Sequence, residues 1–289
     1  MNQKSHSNFI NSKQLSIYLE STLDSISSQE KENKSTKNLV AVHGLGTCSA
    51  WYDDLKEKLL QNNIDLTTFD LPGFGQTTGN GVEKGIIKSY KQWVEALKTT
   101  WDKVHEQQNS GNSSFLLGHS LGGVVSLASL KELNPKPKGI ILTVPAFMAH
   151  PDSWPLFTFV VPTFFKALIN SPNKMDFPMP AEVEEMLVKK PELVNLMTSQ
   201  VRPKLFLESL KATITAWLNL NELKDIPFYL VVSRSDKTCS PEAAENFFNM
   251  CNAKDKQLKV FENTGHDLFI LPEADELNQL IANWIIEKS

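Results

Sequence analysis

The segment from residue 118 to residue 122, Gly-His-Ser-Leu-Gly, constrains the fold more than any other part of this sequence. Residues 113–117 just before it are typical of a short buried strand, and residues 123–133 carry apolar side chains at helical spacing. A serine on a tight turn between a strand and a helix is held in a strained, exposed backbone conformation. The pattern therefore predicts a turn that presents the hydroxyl of Ser120.

Two glycines flank this serine and explain how the turn can be tight. Gly118 and Gly122 carry no side chains that would collide across it. The helical pattern after the turn stops at Asn134-Pro135, since proline cannot continue a helix. A glycine-rich turn with an inactive serine is the alternative interpretation of the same residues.

From residue 39 onward, predicted strands and helices alternate along the chain. Strands are predicted at residues 39–42, 65–69, 113–117, 139–143, 227–232 and 257–261, and helices at residues 51–59, 86–105 and 123–133, after Ser240-Pro241 and at the end of the chain. We interpret the polar residues 29–38 as a solvated connector between early antiparallel strands and not as a binding site. The alternation predicts an α/β fold with a mostly parallel central sheet and helices on both sides.

Residues 146–226 interrupt the alternation, because they contain helical patterns and no convincing strand. One of these helices is expected to present Phe206, Leu210, Ile214 and Trp217 on one face. We therefore expect a core formed by residues 1–145 and 227–289 and a helical cap inserted at residues 146–226. Ligands of such sheets bind outside the carboxyl ends of the strands, so an insertion there would cover the pocket.

A serine hydroxyl is a weak nucleophile and needs a neighbouring base. Of the six histidines, His266 follows the last predicted strand directly, where a loop can reach the turn around Ser120. His119 is expected to face away from the serine. With His266 as the base, activity should rise with pH between about 6 and 7, as the imidazole loses its proton. A histidine with only a structural role is the alternative.

The base needs a carboxylate that fixes its tautomer and stabilises its charged form. Asp236 lies in the loop after the strand at residues 227–232 and is our choice. Asp267 is the rival acid, but it is adjacent to His266 in sequence and poorly placed to reach the far nitrogen of that ring. A surface aspartate without a function at position 236 is the remaining alternative.

The reaction of a serine nucleophile also needs donors for the developing oxyanion. We assign one to the backbone N–H of Leu121, directly after the serine. The other is assigned to the N–H of Leu45, because Gly44 and Gly46 let the backbone approach a substrate. His43 is expected to orient this loop without transferring a proton.

These segments together resemble the α/β-hydrolase superfamily and, within it, the monoglyceride lipase and lysophospholipase group of serine esterases. The resemblance covers about residues 39 to 289 and rests on residues 43–46, 70–75, 118–123, 143–146, 235–236 and 259–269. The order Ser120, Asp236, His266 is also that of the superfamily. The motif residues around the nucleophile and the oxyanion loop are Gly118, His119, Gly122, His43, Gly44 and Gly46.

The resemblance implies a carboxylesterase that forms an acyl-enzyme on Ser120 and acts on esters with a hydrophobic acyl part, such as monoacylglycerols. A cofactor-free perhydrolase or haloperoxidase, or a hydrolase of carbon–carbon bonds, would use the same residues. A non-catalytic ligand-binding or interaction protein of this fold is a further alternative. No metal ion and no organic cofactor is expected.

The amino-acid composition limits which kinds of binding partner and which cellular location we expect. The net charge of −4 argues against nucleic acid. The three cysteines cannot all pair and lack the spacing of metal ligands, so we expect reduced thiols and a cytoplasmic protein. No signal peptide is apparent, and the longest apolar run, residues 156–165, is far shorter than the roughly 20 residues of a membrane span.

The predicted cap is rich in large apolar side chains: Trp154, Phe157, Phe159, Phe164, Phe165, Met175, Phe177, Met179, Met186 and Trp217. They could form only the core of the cap. They would equally suit an acyl pocket for a small-molecule or lipid ester, or a rim for transient contact with a membrane. The sequence does not fix an oligomeric state.

Overall fold

The computed structural model describes residues 8–22, 37–107, 112–177 and 181–289. In these ranges nine strands form one sheet: β1 Asn8–Asn11, β2 Leu15–Ser21, β3 Lys37–Val42, β4 Asp65–Phe69, β5 Thr78–Gly79, β6 Ser113–His119, β7 Gly139–Thr143, β10 Phe228–Ser233 and β11 Lys256–Phe261. A separate small sheet pairs β8 Met175–Asp176 with β9 Gln200–Val201.

The large sheet has the order β1-β2-β4-β3-β6-β7-β10-β11, with β5 paired to β2. Six consecutive strands are parallel to one another, in the order β4-β3-β6-β7-β10-β11. At one side of the sheet, β2 pairs in antiparallel fashion with β1, β4 and β5. This confirms the predicted mostly parallel sheet and the early antiparallel strands. Most of the predicted connector at residues 29–38 lies outside the described residues, and Lys37 and Asn38 begin β3.

Strand β3 shows why the central strands read as continuous apolar runs. Leu39 and Ala41 belong to the apolar cluster on one face of the sheet, and Val40 and Val42 belong to the cluster on the other face. All four side chains are fully buried. Both faces of a parallel sheet are covered by helices, so neither face favours polar residues.

Eight α-helices are described: α1 Asp53–Gln61, α2 Lys91–Gln107, α3 Leu121–Ser129, α4 Val161–Leu168, α5 Ala181–Lys189, α6 Pro203–Leu218, α7 Pro241–Met250 and α8 Ala274–Lys288. Helices α1 and α8 contribute to one core cluster, and α2, α3 and α7 contribute to the other. The sheet is therefore flanked on both sides, as predicted.

Two helix boundaries differ from the prediction. Helix α2 begins at Lys91 and not at residue 86, because Ile86 pairs with Glu83 in an isolated bridge. Helix α3 ends at Ser129 and not at residue 133, since the next turns tighten into bonds three residues apart.

The 146–226 segment, which we call the insertion, contains α4, α5 and α6 and also the pair β8–β9. The prediction that it has no strand was therefore wrong, because strands of two residues are too short to show an alternating pattern. Its assignment as a separate cap remains a prediction.

Only part of the predicted apolar face of α6 is packed, since Phe206 and Trp217 contact the core cluster. Leu210 is 49% exposed and Ile214 is 53% exposed, whereas the buried side includes Ala212 and Ala216. Helix α6 packs against α3, and small alanine side chains allow that close approach. Within the described ranges, none of the helices is long and apolar enough to cross a membrane.

Candidate active site

The turn between β6 and α3 consists of Ser120 alone, whose φ is 53° and ψ is −119°. Such a backbone conformation costs free energy in a residue other than glycine. The turn is held by its own peptide groups: the N–H of Ser120 donates to the carbonyl of Thr143 at 3.0 Å. The carbonyl of Ser120 accepts from the N–H groups of Gly123 at 3.0 Å and Ala146 at 3.1 Å. The serine is thus fixed at the carboxyl end of β6.

The two glycines of the turn are required by close backbone contacts. A Cβ atom on Gly122 would lie 2.0 Å from the carbonyl oxygen of Val42, and one on Gly118 would lie 2.5 Å from Cα of Gly123. Neither contact can be relieved by moving a side chain. The glycine spacing predicted from the sequence therefore has a steric origin in β3 and α3.

Ser120, His266 and Asp236 lie in one hydrogen-bonded chain. His266 Nε2 is 2.9 Å from Ser120 Oγ, and His266 Nδ1 is 2.7 Å from Asp236 Oδ2. All three side chains are buried. With the proton on Nδ1, the ring donates to Asp236 and can accept from the serine hydroxyl. The structure therefore brings together three residues from loops far apart in the sequence.

The carboxylate of Asp236 is fixed by the loop that carries it. Its Oδ1 accepts from the backbone N–H groups of Thr238 at 2.7 Å and Cys239 at 2.9 Å. The other oxygen is left for His266. Asp236, and not Asp267, is the acid in contact with the far nitrogen of that ring.

Two kinds of effect shift the pKa of His266 in opposite directions. Burial has the largest single effect and lowers the pKa of the imidazole, whereas the charge of Asp236 and its hydrogen bond raise that pKa. The charges of Asp267 and Glu182 act in the same direction as Asp236, and together they raise the pKa of His266 to about 9. The charged form of the ring is thus stabilised where a general base would have to hold a proton.

The sequence analysis expected His119 to face away from Ser120, but the structure places its ring at the site. Its ring lines the same cavity as Ser120, and its centre is 5.3 Å from that of His266. One ring nitrogen lies 3.0 Å from Thr143 Oγ1 and the other 3.6 Å from Asp267 Oδ1. Burial lowers the pKa of His119. Asp267 therefore pairs with His119, a role that the sequence analysis missed.

The loop after β3 is held by His43. Its Nε2 accepts from the backbone N–H of Leu71 at 2.9 Å, and its Nδ1 donates to the carbonyl of Gly44 at 2.8 Å. Burial lowers the pKa of His43 to about 4, so the ring is neutral at pH 7. In the same loop, Gly46 has a φ of 78°, a conformation that favours glycine.

Asp70 supports this region and was also missed as a functional candidate. The carboxylate follows β4 directly and accepts from the backbone N–H groups of Ser49 and Gln76, both at 2.7 Å. It therefore ties together two loops at the carboxyl edge of the sheet. Its position directly after a buried strand is the feature of the sequence that could have identified Asp70 as a candidate.

Leu45 and Leu121 both line the cavity beside Ser120. Among the hydrogen bonds between described residues, neither backbone N–H of these two leucines acts as a donor. An N–H at the start of a helix, such as that of Leu121, has no partner within the helix. Neither N–H is thus engaged by another described residue, and their role as oxyanion donors stays a prediction.

The cavity has a volume of about 170 Å³ and a mainly apolar wall. The insertion supplies much of that wall through Ala146, Ala149, Trp154, Phe177, Val183, Met197 and Phe206. Met179 and the side chain of Phe157, which we had also considered, lie outside the described residues. Among the lining residues, the groups that can carry charge include His119, His266 and Asp267, and Asp267 pairs with His119.

Cys239 lines the cavity and was not singled out by the sequence analysis. Its thiol, an oxygen of Asp236 and a nitrogen of His266 lie within 4.8 Å of one another, so their atoms could in principle surround a metal ion. Burial raises the pKa of the Cys239 thiol well above its ordinary value, whereas a metal binds the thiolate. The other two groups are already bonded to each other. The donors therefore fit a metal site poorly.

The parallel sheet with helices on both faces and the serine turn after its central strand define an α/β-hydrolase. The model of the family described as serine aminopeptidase, S33, matches residues 33–273, and this chain belongs to that family.

Three similar proteins refine this assignment. Monoglyceride lipase of Homo sapiens is 24% identical over 90% of this chain and 86% of its own length. Phospholipase YtpA of Bacillus subtilis is 23% identical over 86% of this chain and 94% of its own. A soluble variant of monoglyceride lipase from Saccharomyces cerevisiae, solved with a substrate analog, has a TM-score of 0.80 at 18% identity and covers 99% of this chain and 96% of its own. The monoglyceride lipase and phospholipase relatives indicate a hydrolase of carboxylic esters.

Proposed function

We propose that this protein hydrolyses carboxylic esters with a hydrophobic acyl part, such as monoacylglycerols, through a covalent acyl-enzyme on Ser120. The observation that carries the proposal is the chain of hydrogen bonds from Ser120 through His266 to Asp236 at the wall of an apolar cavity. A nucleophile, a base and an orienting acid in that geometry are what acyl transfer to serine requires.

In the first half of the reaction, His266 Nε2 takes the hydroxyl proton of Ser120 while Oγ attacks the ester carbonyl carbon. The N–H groups of Leu45 and Leu121 donate to the resulting oxyanion. The carbon–oxygen bond to the alcohol then breaks, and His266 returns its proton to the leaving oxygen. Asp236 accepts from Nδ1 throughout and stabilises the charged ring.

In the second half, His266 takes a proton from a water molecule that attacks the acyl carbon. The bond to Ser120 Oγ breaks, the serine regains its proton from His266, and the carboxylic acid leaves. Residues of this chain provide the nucleophile, the base and the oxyanion donors, so the proposal assigns no step to a metal or an organic cofactor.

The proposed acyl site is the part of the cavity formed by the insertion. Trp154, Phe159 and Phe206 pack edge to face, with ring centres 5.1 to 5.8 Å apart, and Trp154 and Phe206 reach the cavity wall. Such an aromatic wall favours an alkyl chain. We accordingly propose that residues 146–226 act as a cap over the core of residues 1–145 and 227–289.

We also propose a transient contact between the cap and a lipid surface. Helices α4 and α6 pack together and expose a set of large apolar side chains, the α4–α6 patch: Phe164, Phe165, Leu168, Ile169, Leu210, Ile214 and Leu218. An exposed apolar surface of this kind is typical of proteins that collect substrate from lipid. A cytoplasmic location stays a prediction, supported by the three unpaired, buried cysteines.

The experiment is a turnover panel of p-nitrophenyl esters and monoacylglycerols of increasing chain length, run with the wild type and with Ser120→Ala. We expect turnover by the wild type to favour medium or long chains, and we expect the variant to lose it by a factor of about 10⁴ or more. Ser126→Ala, which removes a buried hydroxyl from the helix that follows Ser120, is the control and should remain active.

Three outcomes would reject the proposal. Retained ester turnover in Ser120→Ala would exclude that serine as the nucleophile. Failure on every ester, with activity on peroxide and halide or on carbon–carbon substrates, would favour the other hydrolase-fold reactions. Preference for amino-terminal peptide bonds would instead match the description of the family.

A further inference from the structure

One contact joins the insertion to the backbone of the proposed base. Glu182, in the first turn of α5, accepts through Oε1 from the backbone N–H of His266 at 3.2 Å. The side chain of Glu182 is partly buried, and its neighbour Val183 lines the cavity. The acceptor of the His266 N–H therefore belongs to a different part of the chain from the loop that carries the imidazole.

The loop makes room for this carboxylate at Gly265. A Cβ atom on residue 265 would lie 2.5 Å from Oε1 of Glu182, closer than real Cβ atoms approach an oxygen. The obstacle is the end of a flexible side chain, so an alanine there would displace the carboxylate and leave the backbone unstrained. The glycine and the glutamate thus fit each other across the boundary between core and insertion.

Glu182 also contributes to the charge around the imidazole. The groups that act on His266 are Asp236 and Asp267 of the core, Glu182 of the insertion, and the neighbouring rings and hydroxyl of His119 and Ser120. The three carboxylates favour the protonated ring, and a charged His266 in turn lowers the pKa of His119. Asp236 has the largest effect of the three and contacts the ring directly.

We propose that Glu182 is a positioning residue for His266, through which the placement of helix α5 controls the orientation of the base. The contact holds residues 264–266 so that Nε2 faces Ser120. Displacement of α5 removes at once the backbone acceptor and one of the negative charges near the ring. The inference rests on the proposed function, because it assumes that His266 is the base.

Three variants separate the effect of the backbone hydrogen bond from the effect of the negative charge. Glu182→Gln keeps an oxygen acceptor and removes the charge, Glu182→Ala removes both, and Gly265→Ala leaves the glutamate in place but pushes it away. Glu185→Gln, exposed on the same helix, is the matched control. The measurements are kcat and KM for a short, soluble p-nitrophenyl ester between pH 5 and 10, with circular dichroism to verify folding.

We expect kcat to fall about tenfold in Glu182→Ala and Gly265→Ala, with KM within about twofold, because a misplaced base affects the transition state more than substrate binding. In Glu182→Gln, the acidic midpoint of kcat/KM should move down by about half a pH unit with a smaller loss of kcat. Superposition of all three profiles on that of Glu185→Gln would overturn the inference, as would a change confined to KM.

Two further variants distinguish failure of this inference from failure of the proposed function. If His266→Ala and Ser120→Ala are inactive while the Glu182 and Gly265 variants match the control, only the positioning role is rejected. If His266→Ala keeps wild-type activity, the base itself is misassigned, and both proposals fall together.

Discussion

At the scale of single residues, the buried histidines of the site differ in the direction in which their pKa values are shifted. Burial is the main reason that His43 is neutral, with a pKa of about 4. His266 is also buried, yet the carboxylates of Asp236, Asp267 and Glu182 together reverse the effect of burial and raise its pKa to about 9. The sequence analysis selected His266 from its place after a strand, but it could not supply the charges around the ring.

The first residue-scale prediction concerns pH. The base works as neutral imidazole, so kcat/KM should rise as pH increases through the pKa of His266 in the free enzyme. Because that pKa is raised, the midpoint should lie above the ordinary value of 6.5, toward about 9. This replaces the window of about pH 6 to 7 expected from an unperturbed histidine. A profile that is flat from pH 6 to 10 would exclude His266 as the base.

The second residue-scale prediction compares the two nearby acids. Asp236→Asn should lower kcat by about 10³ to 10⁴-fold, because the amide cannot stabilise the charged ring and favours the wrong tautomer. Asp267→Asn removes a partner of His119 and leaves the bond to His266 Nδ1 in place, so its loss should be far smaller. Steady-state kinetics of both variants at one pH decide between them, and equal losses would contradict the assignment.

At the scale of elements, strand bounds and helix starts could be predicted where they depend only on residues close together in the sequence. Strands β4 and β7 have the predicted bounds, and Ser240 caps α7 by accepting from the N–H of Ala243. The failures involve packing between distant elements. Helix α6 buries alanines against α3, which leaves Leu210 and Ile214 exposed, and no local pattern contains that information.

The prediction at this scale concerns the turn between β6 and α3. Gly122→Ala should lower the free energy of unfolding by about 3 kcal/mol or more, because its Cβ would meet the Val42 carbonyl at 2.0 Å. Gly123→Ala is the control, since the nearest atom lies 3.1 Å away in the side chain of Pro145 and alanine favours the helix. Urea denaturation measures both. An equally stable Gly122→Ala protein would show that backbone contact does not fix the turn.

At the scale of the whole molecule, the sequence predicted the order of layers and the convergence of three loops, because strand ends of a parallel sheet meet at one edge. It did not predict what the insertion brings to that edge. The Glu182 contact, the place of Cys239 in the cavity wall and the pairing of Asp267 with His119 all depend on tertiary packing. The sequence motifs therefore predicted the residues proposed to react, but they did not predict the side chains that contact those residues.

The prediction for the whole molecule concerns lipid surfaces. Replacing Ile169 and Leu218 in the α4–α6 patch by glutamine should weaken co-sedimentation with phosphatidylcholine vesicles by about tenfold or more, since both side chains are largely exposed and apolar. Turnover of a short soluble ester should stay unchanged. Met250→Gln, exposed on α7 outside the patch, is the control. Unaltered vesicle binding in the double variant would exclude the patch as the contact.

The central claim, that Ser120 is the nucleophile, is tested most directly by reaction with a fluorophosphonate followed by peptide mapping in a mass spectrometer. One adduct is predicted, on the peptide that contains Ser120, and prior incubation with a long-chain ester should slow its formation. Folded Ser120→Ala protein should acquire none, and His266→Ala should react far more slowly. An adduct on a different serine, or equal labelling of Ser120→Ala, would contradict the account.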